Sequence, residues 1–497
     1  MFDIARVKAR AARVGRGGIR ASLAAAVALL VFTGVAAAPA PPPAARGEAA
    51  TATYFASIRH QPSLLLAFLA QMPKGGDLHN HLSGAVYAEN FLRWAADDGL
   101  CVATATMSIV EGTCDAGAGR PPAGDVMRNS TLFNQAIDAM SMRHWDPSLN
   151  GHDHFFATFG KFDPASGKTG EMLAEVSARA AAEQVIYLEL MLTPDGGAGA
   201  ARGIAAGWDP DLAKMRDRLL AAGFRDAVVS AARGRLDQAE ARQRELLKCG
   251  TGQPDPGCRV TIRYISQVAR AGVRESVFAQ MLAGFEVAAA DPRVVGLNLV
   301  QPEDDPAAVR DFSLQMSMLD FLHTQYPAVK ITLHAGELTE GLVPPDTLRF
   351  HMRESVRVGH ALRIGHGAGV MYEDDPLALL RELASKRVLV EIALSSNDLI
   401  LGIRGIRHPL QVYLKYGVPV ALVTDDAGVS RSSLTLEFRK AVEEQGLDYR
   451  TLKRMARNSL TYSFADSATK AHLSAALEAA FSSFERRTTN VERRTSP

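Results

Sequence analysis

Eight short apolar runs rich in β-branched residues alternate with longer helical patterns, and this alternation limits the folds open to the chain more than any other feature. The runs that read as buried strands are residues 75–81, 185–194, 259–268, 293–300, 330–337, 362–367, 388–396 and 418–426. The helical patterns between them include residues 172–183, 212–222, 274–289 and 307–326. Strands that alternate with helices predict a parallel sheet, and eight such units predict a (β/α)8 TIM barrel. An open doubly wound sheet has the same periodicity and remains an alternative.

The barrel is assigned to residues 61–480, and one long stretch interrupts its rhythm. Residues 100–163 follow the first strand, hold Cys101 and Cys114, and are rich in Trp and Phe. This composition indicates a small helical insertion or lid. A second loop, near Cys249, interrupts the unit before the third strand.

Residues 1–38 have the pattern of a secretory signal peptide. Basic residues precede the apolar stretch 21–38, which ends in small residues. An uncleaved anchor is the alternative, because that stretch approaches the length that spans a membrane. Cleavage predicts an exported protein, periplasmic or secreted, with no stable membrane anchor. Residues 39–60 are predicted to be a flexible lead, and residues 481–497 a disordered polar tail.

The four cysteines fall into two pairs that are close in sequence, Cys101 with Cys114 and Cys249 with Cys258. Each pair lies in a segment rich in Gly and Pro. Two local disulfides are the natural hypothesis in an oxidising compartment, and four unpaired thiols are the alternative. Because no CxxC occurs, the spacing does not suit a zinc site.

The charge balance argues against a nucleic-acid partner. The chain has 55 Lys and Arg against 54 Asp and Glu, which leaves a formal net charge of +1. Nucleic-acid binding proteins concentrate basic residues, and no such patch stands out here. The charge balance therefore favours neither nucleic acid nor an anionic membrane surface as a partner.

The stretch "KGGDLHNH" ends the first predicted strand with His79 and His81 one residue apart. Side chains at positions i and i+2 of a strand project to the same face. Both imidazoles can therefore reach one metal ion. An incidental pair is the alternative, because the chain has 13 histidines.

Further polar residues follow later strands. His334 and Glu337 end the fifth predicted strand, His366 ends the sixth, and Asp425 and Asp426 end the eighth. In a (β/α)8 barrel the chemistry lies at the carboxyl ends of the strands. Imidazole with carboxylate suits Zn²⁺, and also Fe²⁺, Co²⁺ or Mn²⁺. Such an ion lowers the pKa of bound water to about 7 and so supplies hydroxide at neutral pH.

With these motifs the chain resembles the adenosine deaminase family of metal-dependent hydrolases, and within it the secreted adenosine deaminase-related growth factor branch. The matching motifs are "MPKGGDLHNHLSGA" (72–85), "HAGE" (334–337), "RIGHG" (363–367), "SSN" (395–397) and "TDDAGV" (424–429). They stand in the family's order and cover residue 72 to about residue 464. The long insertion with its cysteine pair resembles the extra domain of the secreted branch.

The resemblance implies roles for these residues. Four of them would bind one Zn²⁺ ion per chain: His79, His81, His334 and Asp425. Glu337 would protonate the ring nitrogen next to the reacting carbon, and His366 would orient or help to deprotonate the metal-bound water. Asp426 would hydrogen-bond another ring nitrogen, which requires one of the two groups to carry a proton.

The resemblance also implies an activity, the hydrolysis of adenosine and 2'-deoxyadenosine to inosine and 2'-deoxyinosine plus ammonia by metal-hydroxide attack at C6. Deamination needs an activated water and an acid of raised pKa, and the implied residues supply both. A homodimer is a further expectation from the secreted branch.

Two positions depart from the family's pattern and bear on substrate identity. The family commonly has an Asp that contacts the ribose where this chain has Ser83, and a loop glycine where it has Gln301. The Gln301 side chain is expected to crowd the pocket. The alternatives are therefore the same chemistry on adenine, AMP or a modified nucleoside, or a nucleoside-binding protein. Glu303 is predicted to be structural.

A second histidine pair, His152 and His154 in "GHDH", has the spacing of a metal site. Its setting in the insertion favours surface-loop residues instead. No role in the chemistry is predicted for it.

Overall fold

The computed structural model describes residues 43–146 and 148–495, and the side chains of residues 47–146 and 148–488. The predicted signal peptide lies outside the described residues. Within them, no helix combines the length and the apolar character needed to cross a membrane.

Ten strands occur within the described residues, and eight of them form one sheet of parallel neighbours. In chain order the strands are β1 (Gly75–His81), β2 (Cys101–Ala103), β3 (Ser108–Val110), β4 (Val185–Leu192), β5 (Thr261–Ala269), β6 (Val294–Val300), β7 (Lys330–Ala335), β8 (Arg363–His366), β9 (Leu389–Ile392) and β10 (Val420–Leu422). The sheet runs in the order β1, β4, β5, β6, β7, β8, β9, β10. Each of the eight predicted strands is present, and the (β/α)8 barrel is confirmed.

The barrel closes between its first and last strands next to the polar residues that end them. The backbone N–H of His81 donates to the carbonyl oxygen of Asp425 at 3.1 Å, and the N–H of Asp425 donates to that of His79 at 2.9 Å. Beside them, Asn80 Nδ2 donates to Thr424 Oγ1 at 3.0 Å. Backbone pairing therefore fixes the distance between the HxH motif and the Asp pair.

Helices connect the strands and surround the barrel. Those within the described residues are α1 (Pro43–Ile58), α2 (Pro62–Gln71), α3 (Leu82–Ala85), α4 (Ala88–Asp97), α5 (Ala123–Arg128), α6 (Ser130–Ala139), α7 (His152–Phe162), α8 (Thr169–Ala182), α9 (Ala198–Ala206), α10 (Leu212–Ala221), α11 (Phe224–Leu246), α12 (Arg274–Ala290), α13 (Pro306–Gln325), α14 (His351–Arg357), α15 (Pro376–Lys386), α16 (Leu394–Leu401), α17 (Leu410–Lys415), α18 (Leu434–Glu443), α19 (Tyr449–Thr461) and α20 (Ser467–Thr495). Local chemistry sets several of their starts. For example, the Asp305 side chain accepts from the N–H groups of Ala307 and Ala308, which caps α13.

The insertion after α4 combines a hairpin with helices. Strands β2 and β3 pair antiparallel, and a disulfide joins Cys101 to Cys114. Helices α5, α6 and α7 follow. The prediction of a purely helical insertion therefore misses the hairpin, because strands of three residues are too short to show a period of two. The second predicted disulfide, Cys249–Cys258, is also present.

Two segments predicted to lack structure are helical where the structure describes them. Helix α1 lies within residues 39–60, and α20 extends into residues 481–497. The Phe68 ring lies 5.2 Å from the Phe55 ring of α1 and 4.9 Å from the Phe484 ring of α20. Both predictions are wrong, because a few large apolar side chains in these segments pack onto the core.

Lys74, which precedes β1, joins two helix ends inside the core. Its side chain is 1% exposed. Its Nζ donates to the carbonyl oxygens of Leu69 at 2.7 Å, Met72 at 3.1 Å and Glu183 at 2.9 Å. These carbonyls lie at the ends of α2 and α8, where helical carbonyls run out of donors, although the Leu69 oxygen also accepts from the N–H of Met72. The lysine therefore anchors β1 to both helices.

We expect Lys74→Met to lower the free energy of unfolding by about 3 kcal/mol, because three carbonyls at helix ends lose their hydrogen bond from Lys74. Urea denaturation followed by circular dichroism measures the change. The matched control is Lys386→Met, since Lys386 is half exposed and pairs only with Glu382 within one helix. Equal stability of the two variants would contradict the anchoring role.

Candidate active site

Seven polar residues selected from the sequence lie together at the carboxyl ends of the barrel strands. They are His79 and His81 on β1, His334 on β7, Glu337 just after it, His366 at the end of β8, and Asp425 and Asp426 after β10. All are buried except His81, whose side chain is 14% exposed. The structure thus brings together residues that are far apart in the chain, such as His79 and Asp425.

Four of these side chains place donor atoms at the spacing of a tetrahedral metal site. Asp425 Oδ1 lies 3.4 Å from His79 Nε2 and 3.3 Å from His81 Nε2. The Nε2 atoms of His81 and His334 are 3.1 Å apart. Ligand atoms about 2.1 Å from a tetrahedral ion lie about 3.4 Å from one another. The buried His79 Nε2 also has no hydrogen-bond partner among the described residues. Candidate ligand atoms of His79, His334, His366 and Asp425 all lie within 4.8 Å of one another, and so do those of His81, Asp425 and Asp426. The strand ends therefore offer the His and Asp donors of a metal ion.

A buried chain of charges orients His79. Its Nδ1 lies 2.8 Å from Glu391 Oε2, so this nitrogen donates and Nε2 keeps its lone pair. Arg363 joins Glu391 to Glu189, with N–O distances of 2.6 Å to each. Burial would raise the pKa of Glu391, but Arg363 and His79 hold it below its ordinary value. The carboxylate behind His79 is therefore kept charged.

We expect Glu391→Gln to weaken zinc binding by about 10- to 100-fold, because His79 loses the carboxylate that fixes its tautomer. Competition with a chromophoric chelator measures the affinity. The matched control is Glu382→Gln, which removes a carboxylate from the exposed pair with Arg357. The same zinc affinity in both variants would show that Glu391 serves only packing.

His334 is oriented in the same way by an amide. Asn298 Oδ1 accepts from the backbone N–H of His334 at 3.0 Å and lies 3.0 Å from its Nδ1. The Nδ1 nitrogen therefore donates, and Nε2 faces the cluster with its lone pair. Burial lowers the pKa of His334 well below its ordinary value, so the ring is neutral. Behind it, buried Arg270 donates to the carbonyl oxygens of His334 and Gln301.

His366 has a different setting. Its Nδ1 accepts from Asn397 Nδ2 at 3.0 Å, and its buried Nε2 has no hydrogen-bond partner among the described residues. Burial lowers its pKa to about 3, which keeps the ring neutral. Its φ is 66°, and that of Asp425 is 59°. A residue other than glycine with such a positive φ carries a backbone strain of about 1–3 kcal/mol, and strained residues of this kind cluster at functional sites.

The pKa values of the three carboxyl groups in the site are shifted in different directions. Burial, and then the charge of Asp425, raises the pKa of Glu337 well above its ordinary value. The same two causes raise the pKa of Asp426. Although burial opposes it, the neighbouring His79 and His81 side chains hold the pKa of Asp425 well below its ordinary value. Asp425 therefore favours the carboxylate form, whereas Glu337 and Asp426 favour the protonated acid.

Close packing against Gly84 fixes the position of Asp426. A Cβ atom at this glycine would lie 1.5 Å from Asp426 Oδ1 and 2.4 Å from its Cγ. Glycine is therefore required three residues after His81, because Asp426 packs directly on its Cα. The backbone oxygen of Gly84 also accepts from the N–H groups of Gly428 and Val429.

A cavity of about 430 Å³ opens in front of these groups. His81, His334, Glu337, Asp425 and Asp426 line its floor. Its walls include Phe155, Phe156 and Phe159 of α7, so the insertion covers the site as a lid would. Aromatic walls over polar groups suit a flat heterocyclic ring.

The two residues that depart from the family's pattern also line this cavity. Ser83 lies on α3, directly after the HxH motif, and Gln301 follows β6. Gln301 has a φ of 78°, the conformation that glycine adopts most readily. Its Oε1 accepts from the N–H of Ala271 at 3.0 Å. The predicted crowding is therefore limited, because the side chain is held toward a neighbouring loop.

Glu303 supports the loop that carries Glu337. Its carboxylate accepts from the N–H groups of Gly336 at 3.2 Å and Glu337 at 2.7 Å. It also lies 2.7 Å from His351 Nδ1. Burial would raise the pKa of Glu303, but His351 holds it below its ordinary value. These contacts agree with the structural role expected from the sequence.

His152 and His154 do not lie on a surface loop, so that expectation is wrong. They occupy the first turn of α7, where His152 Nε2 lies 3.0 Å from Asp304 Oδ1 and His154 stacks on Trp145. Asp304 belongs to the loop after β6. The pair therefore joins the insertion to the barrel, a contact that depends on tertiary packing and leaves no signal in the sequence.

Sequence reasoning missed the residues behind the site. Glu391, Asn298 and Arg270 orient the histidines, yet no motif marks them. A weak signal exists for Glu391, a lone acid inside an apolar strand run, "VLVEIAL". An acidic residue in a buried strand is unusual unless it is paired, so Glu391 indicates a basic partner elsewhere in the fold.

A protein-family model described as adenosine deaminase matches residues 169–480. The adenosine deaminase of Enterococcus faecalis is 33% identical over 138 residues, which are 28% of this chain and 37% of that protein. The aminodeoxyfutalosine deaminase of Streptomyces coelicolor is 34% identical over 141 residues, 28% of this chain and 34% of that protein. The chain therefore aligns with little more than a third of these relatives' length.

Among solved structures, the N6-mAMP deaminase of Arabidopsis has a similar fold. It superposes with a TM-score of 0.55 at 20% identity, over 83% of this chain and 99% of that one. At this identity the match concerns the fold alone.

Proposed function

Because this chain belongs to the adenosine deaminase family of metal-dependent hydrolases, we propose that it is a zinc-dependent purine nucleoside deaminase. Its substrates would be adenosine and 2'-deoxyadenosine, and its products inosine and 2'-deoxyinosine with ammonia. One observation carries the proposal. Two carboxylic acids, Glu337 and Asp426, share a cavity with a His/Asp donor set at the strand ends.

The donor set fits Zn²⁺ through His79, His81, His334 and Asp425. When bound, Zn²⁺ acts as a Lewis acid that lowers the pKa of a water ligand to about 7. Other divalent ions accept the same ligands, so metal analysis of the purified protein decides the identity of the ion.

The carboxyl groups account for the remaining steps. As the water oxygen bonds to C6, protonated Glu337 gives its proton to N1 and relieves the developing charge. The C6–N6 bond then breaks, and the amino group takes up one of the two protons of the attacking water and leaves as ammonia. The other water proton returns to Glu337 and restores the acid. Protonated Asp426 donates a hydrogen bond to a second ring nitrogen and holds the purine in place. One water is consumed and one ammonia is released.

The cavity favours a nucleoside over a nucleotide. Recognition of a phosphate relies on Arg or Lys, and neither is among the described residues that line this cavity. Arg235 lines an adjoining cavity that shares Ser83, Asp163 and Gln267 with it. The volume of the first cavity lies within the range of small-molecule sites. Ser83 can still hydrogen-bond a ribose hydroxyl, although more weakly than a carboxylate. The alternative substrates are adenine, AMP and modified nucleosides such as aminodeoxyfutalosine, after which one relative is named.

A substrate panel with zinc-loaded protein tests the proposal. We expect the absorbance of adenosine and deoxyadenosine to fall as the inosine product forms, with kcat/KM well above that for adenine or AMP. A higher kcat/KM for AMP or a modified nucleoside would show that the enzyme acts on one of the alternative substrates. No absorbance change with any compound would exclude a deaminase.

Export to the periplasm or the medium, and a homodimer, are also proposed. Two disulfides support an oxidising compartment, where such bonds persist. Fractionation of cells that express the full chain tests export, and light scattering of the purified protein tests the dimer.

A further inference from the structure

We infer that His408 and Asn397 are positioning residues that fix which ring nitrogen of His366 carries the proton. His408 follows the short loop after α16, and Asn397 lies on α16 itself. Both are buried, and Asn397 contacts Nδ1 of His366, which also lies 3.6 Å from Glu337 Oε1. The inference rests on the proposed function for its catalytic meaning, whereas the proton position can be measured independently.

The hydrogen bonds that lead to His366 begin at a backbone N–H group, which can only donate. The backbone N–H of Leu410 donates to His408 Nδ1 at 3.1 Å. A backbone amide only donates, so His408 Nδ1 carries no proton. Burial lowers the pKa of His408 to about 4, which keeps the ring neutral. Its single proton therefore lies on Nε2.

The proton on His408 sets the orientation of the Asn397 amide. His408 Nε2 lies 3.0 Å from Asn397 Oδ1 and donates to it. The amide NH₂ must then face the other way, where Asn397 Nδ2 lies 3.0 Å from His366 Nδ1. An NH₂ group only donates, so His366 Nδ1 accepts. The proton of the neutral His366 ring therefore lies on Nε2.

The protonated ring nitrogen of His366 differs from that of His79 and His334. Behind Nδ1, His79 has the carboxylate of Glu391 and His334 has the amide oxygen of Asn298. Both rings hold their proton there and present a lone pair to the metal cluster. His366 has a donor behind its Nδ1 and presents an N–H. It is thus set to donate toward the attacking water rather than to bind the metal.

The test compares ring tautomers in zinc-free protein labelled with ¹⁵N-histidine. In the unmodified chain we expect His366 to show its proton on Nε2 alone. In His408→Leu the Asn397 amide is free to rotate, so we expect His366 to become a mixture of tautomers. In the zinc-loaded variant kcat should fall by about 10- to 100-fold with little change in KM.

A second variant reverses the pattern with almost no change of shape. In Asn397→Asp both carboxylate oxygens accept, so we expect His366 to place a proton on Nδ1. The control is His360→Asn, because His360 lies six positions before His366 and pairs with Asp320 outside the site. The tautomer of His366 and kcat should not change in this control.

Two results would overturn the inference. One is a proton on Nδ1 of His366 in the unmodified protein. The other is an unchanged His366 tautomer in both His408→Leu and Asn397→Asp. Neither result depends on turnover, so failure of the deaminase proposal, which shows as inactivity of the unmodified protein, remains distinguishable.

Discussion

Replacing Glu337 by glutamine is expected to lower kcat by about 10³-fold, the range associated with loss of a general acid. Burial and the charge of Asp425 keep this carboxyl protonated, so it can give a proton to the purine ring. Glutamine keeps the shape but cannot transfer a proton. The zinc content should stay unchanged, because Glu337 is not among the four proposed ligands. The absorbance assay and metal analysis of the same sample measure both quantities.

The pH dependence of the unmodified enzyme follows from the same carboxyl group. Its pKa is raised, so the active protonated form persists above the ordinary titration range of a glutamate and is lost as the pH rises through the raised value. The control is Glu340→Gln, an exposed acid three residues later. Activity near that of the unmodified protein in Glu337→Gln would remove this residue from the chemistry.

Replacing Asp425 by asparagine is expected to abolish zinc binding and to lower kcat/KM by 10³-fold or more. Asp425 Oδ1 lies within 3.4 Å of two histidine nitrogens, and Asp425 is the group that stays ionised at the centre of the cluster. Loss of the metal removes several kcal/mol of transition-state stabilisation, and each 1.36 kcal/mol is a factor of ten. Metal analysis after dialysis and the absorbance assay measure the two effects.

The matched control is Asp374→Asn, which changes a half-exposed acid paired with Arg349. We expect full zinc content and activity in that variant. Full zinc occupancy in Asp425→Asn would contradict the ligand assignment. Ser396 donates to Asp425 Oδ2 at 2.7 Å, a bond that asparagine can keep, so a gross change of the loop is not expected.

The barrel could be predicted because its causes are local. Alternating strand and helix patterns are set by residues near one another in the chain, and every predicted barrel strand is present. The errors lie where burial depends on distant partners. Phe55 and Phe484 reach the core from segments of polar composition, and the short β2–β3 hairpin has too few residues for a periodic pattern.

The sequence by itself also determined which side chains can do chemistry. His79, His81, His334, Glu337, His366, Asp425 and Asp426 all follow predicted strands, and the geometry of a parallel barrel brings such ends together. Only the tertiary structure decided their states. Contacts from Glu391, Asn298 and Asn397, each far away in the chain, fix the tautomers of three histidines. Burial beside one retained charge makes Asp425 a carboxylate and Glu337 an acid, and neither burial nor hydrogen-bond direction is written in local sequence.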